Sequence, residues 1–345
     1  MRKKVKIAVI ALIGALLALV LYVLDQHSYR MIERAVVIDT PQGRLAGTLA
    51  LPENGSGKFG LVVFVHGDGP IDDSYNDGYK PLWEKFASVG YASLSLDKPG
   101  IGGSSGHWLE QSMEDRAQEI VHAIEWARSL PEIDERFIGL WGASQAGWVI
   151  PKIVEKEPTL AFSILVSPAV NWISQGQYNT RAEMLRDGRT EDEIEEREAY
   201  NARIVQLLER GSSYEEYLKL AAPDRLLSRD RWAFIARNFR SDASDELTRF
   251  TSPILLVLGG QDINVDVEET ESVYREKLPP GLLSLSYFPD ADHSMLRKRY
   301  ASSEFSAYWA AIFSPRKLVV DGYAEELAQF VSRFHPLLPS ARLQP

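Results

Sequence analysis

The stretch Ile138-Gly139-Leu140-Trp141-Gly142-Ala143-Ser144-Gln145-Ala146-Gly147-Trp148 decides how this 345-residue chain is read. A short apolar run predicts a strand over Ile138–Trp141, small residues predict a tight turn, and a helix pattern comes at once after it. That is the setting a nucleophile elbow requires. The serine stands on a strained turn, so its neighbours must be small, and its hydroxyl projects above the sheet. The next backbone N–H then faces the position where negative charge develops on a reacting carbonyl. The usual string is G-x-S-x-G, and here the last position is Ala146, with Gly147 one residue later. Ala is the smallest replacement for Gly. A literal G-x-S-x-G occurs elsewhere, at Gly102-Gly103-Ser104-Ser105-Gly106. There, Asp97-Lys98-Pro99-Gly100 separates the preceding strand from the motif, and no helix pattern begins directly after it. Context therefore selects Ser144 and makes Ser104 a loop residue.

Working outward, strands alternate with helices. Ala35–Asp39 and Leu45–Leu51 read as strands joined through the turn signal Pro41-Gln42-Gly43. Leu61–Val65 and Ala92–Leu96 are β-rich runs of the kind buried on both faces. Tyr79–Val89 has helical spacing between them. Met113–Leu130 predicts an amphipathic helix with Ile120, Val121, Ile124 and Ala127 on one face. Phe162–Val166, Ile254–Leu258 and Leu283–Phe288 complete the strands, with helices near Val267–Leu278 and Lys317–Phe334. Strand, helix, strand in this order predicts a parallel sheet with right-handed crossovers. The rhythm stops between Asn171 and about Phe250, where no strand signal occurs. That segment reads as several helices, one strongly acidic (Thr190-Glu-Asp-Glu-Ile-Glu-Glu196), inserted into an α/β core. Its scattered aromatics (Trp172, Tyr178, Tyr200, Tyr214, Trp232, Phe234, Phe239) suit either an apolar acyl or aryl site or a simple helical core.

A serine nucleophile needs a base and an orienting acid, and after an elbow of this kind they come in the order Ser, Asp/Glu, His. Two histidines lie after Ser144. His335 ends the last helix pattern, before Pro336. His293 lies in the polar loop Pro289-Asp-Ala-Asp-His293-Ser, just beyond a strand, where ligands meet a parallel sheet. Asp262 comes after the strand Ile254–Leu258 through Gly259-Gly-Gln and is the candidate acid. Asp266 reads instead as the N-cap of the next helix. Asp290 and Asp292 are too close to His293 in sequence to orient its ring readily. The oxyanion hole needs a second N–H from the loop after the third strand, His66-Gly67-Asp68-Gly69-Pro70. The backbone N–H groups of Asp68 and Gln145 are the proposed pair. His66 reads as a structural hydrogen-bonder of its loop, His122 as a packing or surface residue, and His27 as part of the segment leaving the N-terminal helix. No set of His or carboxylates has convincing metal spacing, so no metal and no cofactor are expected.

Composition narrows the function classes. The net charge is −10, so phosphate backbones repel the chain and nucleic-acid binding is not expected. There is no Cys, which excludes a thiolate nucleophile, a disulfide and a Cys-ligated metal. Arg2, Lys3, Lys4 and Lys6 precede an apolar run from Ile7 to Leu24. Eighteen helical residues span about 27 Å, just enough for a bilayer core. The run ends Val-Leu-Tyr-Val-Leu-Asp25, without the small residues of a signal-peptidase site, so an uncleaved signal-anchor is preferred over a cleaved signal. The cations before the run outnumber Arg30 and Arg34 after it. The positive-inside rule then places the main domain on the extracytoplasmic, periplasmic side of the inner membrane. A secreted or periplasmic protein after signal cleavage is the alternative.

At HGDGP (His66–Pro70), DKPGIGGSSG (Asp97–Gly106), WGASQAGW (Trp141–Trp148), LGGQDINV (Leu258–Val265) and DADHSM (Asp290–Met295) the chain resembles the α/β-hydrolase superfamily. More narrowly, it looks like the bacterial group related to dienelactone hydrolases, serine aminopeptidases and acyl-CoA thioesterase C-terminal domains, over roughly residues 35–335. The resemblance implies an α/β-hydrolase fold, with a mostly parallel central sheet flanked by helices and a helical cap over the site. It also implies Ser144 as nucleophile, Asp262 as acid and His293 as base. The expected organisation is a signal-anchor at 1–28, core at 33–170, cap at 171–250 and the rest of the core at 251–340. Relatives usually carry Ser where Asp68 stands, and often Asp-Arg-Asp at Ile71-Asp72-Asp73. These departures make the mouth of the oxyanion loop more acidic and point away from anionic substrates. The expected activity is carboxylesterase-like cleavage of small (thio)esters through an acyl-enzyme. A peptidase or acyltransferase on the same triad, and a membrane-tethered binding protein without catalysis, are the competing readings.

Overall fold

The third strand shows why the chain folds as a sheet covered on both sides. Along Phe59–Val65, Leu61, Val63 and Val65 join one apolar cluster while Val62 and Phe64 join another. A strand turns successive side chains to opposite faces, so an unbroken apolar run must be buried twice. The computed structural model describes residues 2–54 and 57–334. His335 and the rest of the C-terminal segment, 335–345, lie outside the described residues.

In chain order the elements are helix α1 (Arg2–Gln26), strands β1 (Met31–Thr40), β2 (Gly43–Pro52) and β3 (Phe59–Val65), helix α2 (Lys80–Ala87), β4 (Tyr91–Leu96), α3 (Met113–Arg128), β5 (Ile133–Ala143), α4 (Ile150–Lys156) and β6 (Ser163–Val166). Four helices come next without a strand: α5 (Trp172–Arg186), α6 (Glu191–Glu209), α7 (Tyr214–Leu220) and α8 (Arg229–Asn238). The sheet resumes with β7 (Ile254–Gly259), α9 (Val267–Lys277) and β8 (Leu283–Phe288), and the described chain ends with α10 (Lys298–Ala301), α11 (Glu304–Phe313) and α12 (Tyr323–Val331). The eight strands form one sheet in the order β1-β2-β4-β3-β5-β6-β7-β8. The strands from β4 to β8 pair in parallel; β1 with β2, and β2 with β4, are antiparallel.

The two faces are covered by different helices. One face packs Met113, Ala117, Ile120, Val121 and Ile124 of α3 with Ile150 and Ile153 of α4. The other packs Leu82, Trp83 and Phe86 of α2 with Leu327 and Phe330 of α12. Phe64 sits at the centre of that second layer, 4.7 Å from Trp141 and 5.2 Å from Tyr79 between ring centroids. Helix α3 begins with a full capping box, Ser112 and Asp115 each bonding the other's backbone N–H.

Four expectations about elements needed correction. The expected helix over Lys317–Phe334 is a short 3₁₀ turn at Pro315–Lys317 and the separate α12, because Gly322 at φ +83° breaks the run. β5 starts at Ile133, five residues before the apolar run, because its polar first part crosses an irregularity in the pairing with β3. The residues after Ser144 form a 3₁₀ turn, Ser144–Trp148, before α4 begins. Helices α10 and α11 were not anticipated. Helix α1 is long and apolar enough to cross a membrane over Lys4–Gln26, with a mean hydropathy of 3.0, and its apolar span is not buried in the protein.

Candidate active site

Strands β5, β7 and β8 are parallel, so the segments beyond them emerge at one edge of the sheet. Ser144 comes directly after β5, Asp262 after β7 and His293 after β8. Ser144 has φ +55° in the left-handed region, a conformation that costs a non-glycine residue roughly 1–3 kcal/mol and persists only where its surroundings enforce it. They do so here. A Cβ on Gly142 would lie 2.7 Å from the Ala146 Cβ, and one on Gly147 would lie 2.3 Å from the Ala169 carbonyl oxygen. Gly142 and Gly147 are thus the positions that must be glycine. Ala146 is fully buried and fills the space beneath the turn, so the missing third glycine of the motif leaves the elbow closed.

Asp262 and His293 meet directly. The ring Nδ1 of His293 lies 2.8 Å from Asp262 Oδ2. The other carboxylate oxygen, Oδ1, accepts from the backbone N–H groups of Asn264 at 2.7 Å and Val265 at 2.9 Å. Burial and three partners hold this carboxylate in one orientation. Among the described residues, the Ser144 hydroxyl and His293 are not hydrogen-bonded to each other; such bonds often tighten only around substrate. Asp266 caps α9 through Glu268 N and Glu269 N. Asp292 holds its own loop through Ser294 N and Leu296 N.

The loop after β3 stands against the elbow. A Cβ on Gly67 would touch the Ser144 Cβ at 3.4 Å, so glycine lets the loop approach the hydroxyl. Neither backbone nor side-chain acceptors among the described residues engage the Asp68 N–H. Gln145 occupies the first turn of the 3₁₀ segment, where N–H groups lack a partner from a preceding turn. Both proposed donors are therefore free to face a ligand.

Residues not anticipated from sequence carry this loop from below. Arg116, buried on α3, donates to the Gln145 side-chain oxygen and, at 2.6 Å, to the His66 carbonyl. Lys98 donates to the carbonyls of Gly67 at 2.5 Å and Gly69 at 2.9 Å. Burial, and then Arg116, hold the Lys98 ammonium well below its usual range. Burial lowers Arg116 to about 10. His66 bonds the Leu96 carbonyl through Nε2 at 2.6 Å and Tyr79 through Nδ1 at 3.3 Å. Burial and the neighbouring Lys98 depress it to about 3, so it stays neutral and structural. One signal for Arg116 lay in the sequence: a cation on the apolar stripe of α3, between Met113 and Ile120. Ser104 is likewise structural, donating to the Asp97 carbonyl and accepting from Ala46 N.

Asp68 does not make the mouth acidic, contrary to expectation. Arg231 of α8 grips it with two bonds, 3.0 and 2.6 Å, and Gln145 donates to it at 3.2 Å. Burial opposes its charge, but the guanidinium outweighs that and holds the carboxyl below its usual range. We expect Arg231→Gln to reduce kcat/KM for an anionic ester on the order of tenfold more than for its neutral analogue, since one charge about 4 Å away is worth about 1–4 kcal/mol at the polarity of a protein surface. Equal loss on the two substrates would reject this role. Stability should change by no more than about 1 kcal/mol, because the pair is partly exposed.

The helical insertion touches the site through α5. Tyr178 donates to the Asp262 carbonyl at 3.0 Å, and Asn179 and Gln175 donate to the carbonyls of Ile263 and Asn264. Trp232, Phe234 and Phe239 are buried in helix packing, and Trp232 stacks on Tyr217 at 4.5 Å. Trp232 and Phe239 serve the insertion's own core and Phe234 joins the main core beside Trp108 and Trp172, so their burial does not argue for an aryl substrate.

Glu119, beside Arg116 on α3, is raised by burial to about 7. Its folded pKa exceeds the unfolded value, so the folded state binds the proton more tightly. Stability from this group is present below pH ~4.5 and is lost as pH rises through ~7. Glu119→Gln is therefore expected to be more stable than wild type at about pH 8, by up to about 3 kcal/mol, with the difference vanishing near pH ~4. Denaturant titrations of the two proteins check this, and a constant difference across pH would reject it.

A family model described as serine aminopeptidase, S33, matches residues 57–299. An uncharacterized 31.7 kDa protein from the traX-finO intergenic region of Escherichia coli is 30% identical over 103 residues, 30% of this chain and 35% of that protein. The chain thus spans about a third of the length of that curated relative. Among solved structures, the Pyrococcus furiosus esterase Pf2001 superposes with a TM-score of 0.55 at 18% identity, covering 88% of this chain and 92% of its own. Est1E from Butyrivibrio proteoclasticus with bound ferulic acid gives 0.53 at 19% identity, covering 87% and 97%. At these identities the superpositions establish the α/β-hydrolase fold alone.

Proposed function

The chain belongs to the serine aminopeptidase, S33, family of α/β-hydrolases, and from that premise we propose that it cleaves small carboxylic esters or thioesters through an acyl-enzyme. The observation that carries the reading is the pairing of His293 with a buried, backbone-anchored Asp262 at the sheet edge where Ser144 stands in its strained turn. His293 Nε2 takes the proton from the Ser144 hydroxyl as the oxygen attacks the carbonyl carbon. Asp262 stabilises the imidazolium. The N–H groups of Asp68 and Gln145 receive the oxyanion. The proton then passes to the leaving alcohol, and water repeats the sequence to release the acid. Residues 171–250 act as the cap and residues 33–170 and 251–340 as the core. No cofactor enters this scheme.

A fluorophosphonate probe should label the wild-type protein and fail to label Ser144→Ala. Absence of labelling, together with no hydrolysis of short and medium p-nitrophenyl esters, would overturn the proposal. The family's name favours one second reading, amide cleavage at a free amino terminus. Such a substrate needs an unpaired carboxylate near the nucleophile, and Asp68 is already held by Arg231. Comparing aminoacyl-arylamide with ester turnover separates the two. We also read α1 as a membrane anchor that leaves the catalytic part on the extracytoplasmic side, because its span is apolar and its apolar stretch is not buried inside the protein.

A further inference from the structure

Helix α11 sets Phe305, Tyr308 and Trp309 on one face, at the i, i+3, i+4 spacing that forms a single stripe. They are 73%, 63% and 43% exposed, and Phe305 is more exposed than any large apolar residue described in α1. The rings form a continuous group: Trp309 lies 5.9 Å from Phe305, 6.1 Å from Tyr308 and stacks on Phe313 at 5.3 Å. A contiguous aromatic surface facing water marks an interaction site.

The attachment of this helix decides what covers the face. The end of α11 is bonded to the last turns of α1. The Tyr22 hydroxyl pairs with Ser314 Oγ at 2.8 Å, and His27 Nε2 lies 2.8 Å from the Ile312 carbonyl. Arg316 donates to the carbonyls of Gln26 and Ser28, and the Lys317 ammonium lies 5.7 Å from the Tyr22 ring centroid. A helix of this length spans about 35 Å, somewhat more than a bilayer's apolar core of about 30 Å. Its last turns, Tyr22 to Gln26, therefore fall at the membrane boundary, where the apolar core meets the headgroups. Trp and Tyr concentrate at that depth, their apolar bodies in lipid and their polar tips in water. Lys298, Arg299 and Lys317 are exposed around α11, a basic group on a chain of net charge −10. That charge suits anionic headgroups.

We propose that α11 lies in the lipid–water interface of the membrane that α1 crosses, as a second, non-spanning contact with an anionic bilayer surface. The proposal rests on the reading of α1 as a membrane span. It has a structural consequence for the site. The excursion that carries α11 leaves the chain directly after the His293 loop and is closed at its base by Arg297 N to the Leu318 carbonyl at 3.0 Å and Val320 N to the Met295 carbonyl at 2.9 Å. The lipid contact is thus braced against the loop that holds His293.

Because the chain lacks Cys, single-cysteine variants of the full-length protein can be labelled cleanly. Phe305→Cys, Leu16→Cys and Lys219→Cys would each carry an environment-sensitive fluorophore, in nanodiscs of phosphatidylcholine with one-quarter phosphatidylglycerol. The probe at 305 should be several-fold less quenched by aqueous iodide than the probe at 219, and should be quenched by lipids bearing a shallow spin label. Iodide quenching at 305 equal to that at 219, with 16 protected, would overturn the lipid contact and leave the anchor standing. Iodide access at 16 as well would overturn the anchor reading with it. Protection at 305 that needs two copies per disc and shows no lipid quenching would assign the face to self-association instead. Phe305→Ser with Trp309→Ser should retain turnover of a water-soluble ester in detergent, since neither residue touches the site.

Discussion

Replacing Ser144 by Ala is expected to lower ester turnover about a millionfold, to the residue of catalysis that an intact oxyanion hole and substrate binding supply alone. In the proposed mechanism the effect is large because nucleophile and base act as a unit: without the hydroxyl, His293 would have no proton to accept. The structure also makes the experiment clean. The Ser144 hydroxyl has no hydrogen-bond partner among the described residues, so its removal orphans no buried group. Ala keeps the φ +55° that Ser144 already bears, so the strain is common to both proteins and cancels from the comparison. Thermal unfolding should shift by a few degrees only, and the loss will appear in kcat. Retention of more than about one part in a thousand of wild-type activity would remove Ser144 from the mechanism. Ser104→Ala is the informative contrast. Its hydroxyl bonds the Asp97 carbonyl and Ala46 N, so that variant loses stability through two orphaned backbone groups while the folded fraction keeps its activity.

The difference between these two serines shows what could be read from sequence. G-x-S-x-G as a string points to Ser104, whereas a strand run meeting a small-residue turn points to Ser144, and the structure places the left-handed backbone at Ser144. Local rules suffice to place the left-handed turn because Gly142 and Ala146, which meet beneath it, lie within a few residues of Ser144. The meeting of Asp262 with His293 is legible for a similar reason. Each sits just past its own strand, and parallel strands deliver the loops at their carboxyl ends to one edge. The bond between them needed no long-range knowledge beyond the strand order.

Other features have no local signature. The pair Asp68 and Arg231 is separated by 163 positions, and a surface Arg on an amphipathic helix looks like any other until its partner is in view. That pairing reversed the expectation of an acidic mouth. Lys98 was visible within DKPGIGG, but not its role, because it reaches two carbonyls of a loop about thirty residues earlier. Arg116 was the nearest miss, since a cation on an apolar stripe must have a buried acceptor. Helix α11 escaped because its run is short and apolar nearly all round, and periodicity cannot assign such a run. Its meaning comes from contact with α1, nearly three hundred residues away in sequence.

Asp262→Asn should lower kcat about ten-thousandfold near neutral pH with little change in stability, and the reason lies in the oxygen that does not touch His293. Oδ1 accepts two backbone N–H bonds, from Asn264 and Val265. In the Asn side chain only the carbonyl oxygen can accept them. The amide is therefore locked with its NH₂ in the place of Oδ2, which lies 2.8 Å from His293 Nδ1. A donor facing Nδ1 forces that nitrogen to be the acceptor and moves the ring proton to Nε2. The nitrogen that should take the Ser144 proton is then already protonated. Asp262→Ala acts differently. It orphans the buried N–H groups of Asn264 and Val265 and should cost several kcal/mol of stability, at about 1–3 kcal/mol per group. Asp266→Ala, four residues on, loses only the cap of α9, about 1 kcal/mol, and keeps full activity. NMR of the ring nitrogens in Asp262→Asn would show the tautomer directly. A proton still on Nδ1, or kcat within about tenfold of wild type, would mean that Asp262 orients nothing the reaction needs.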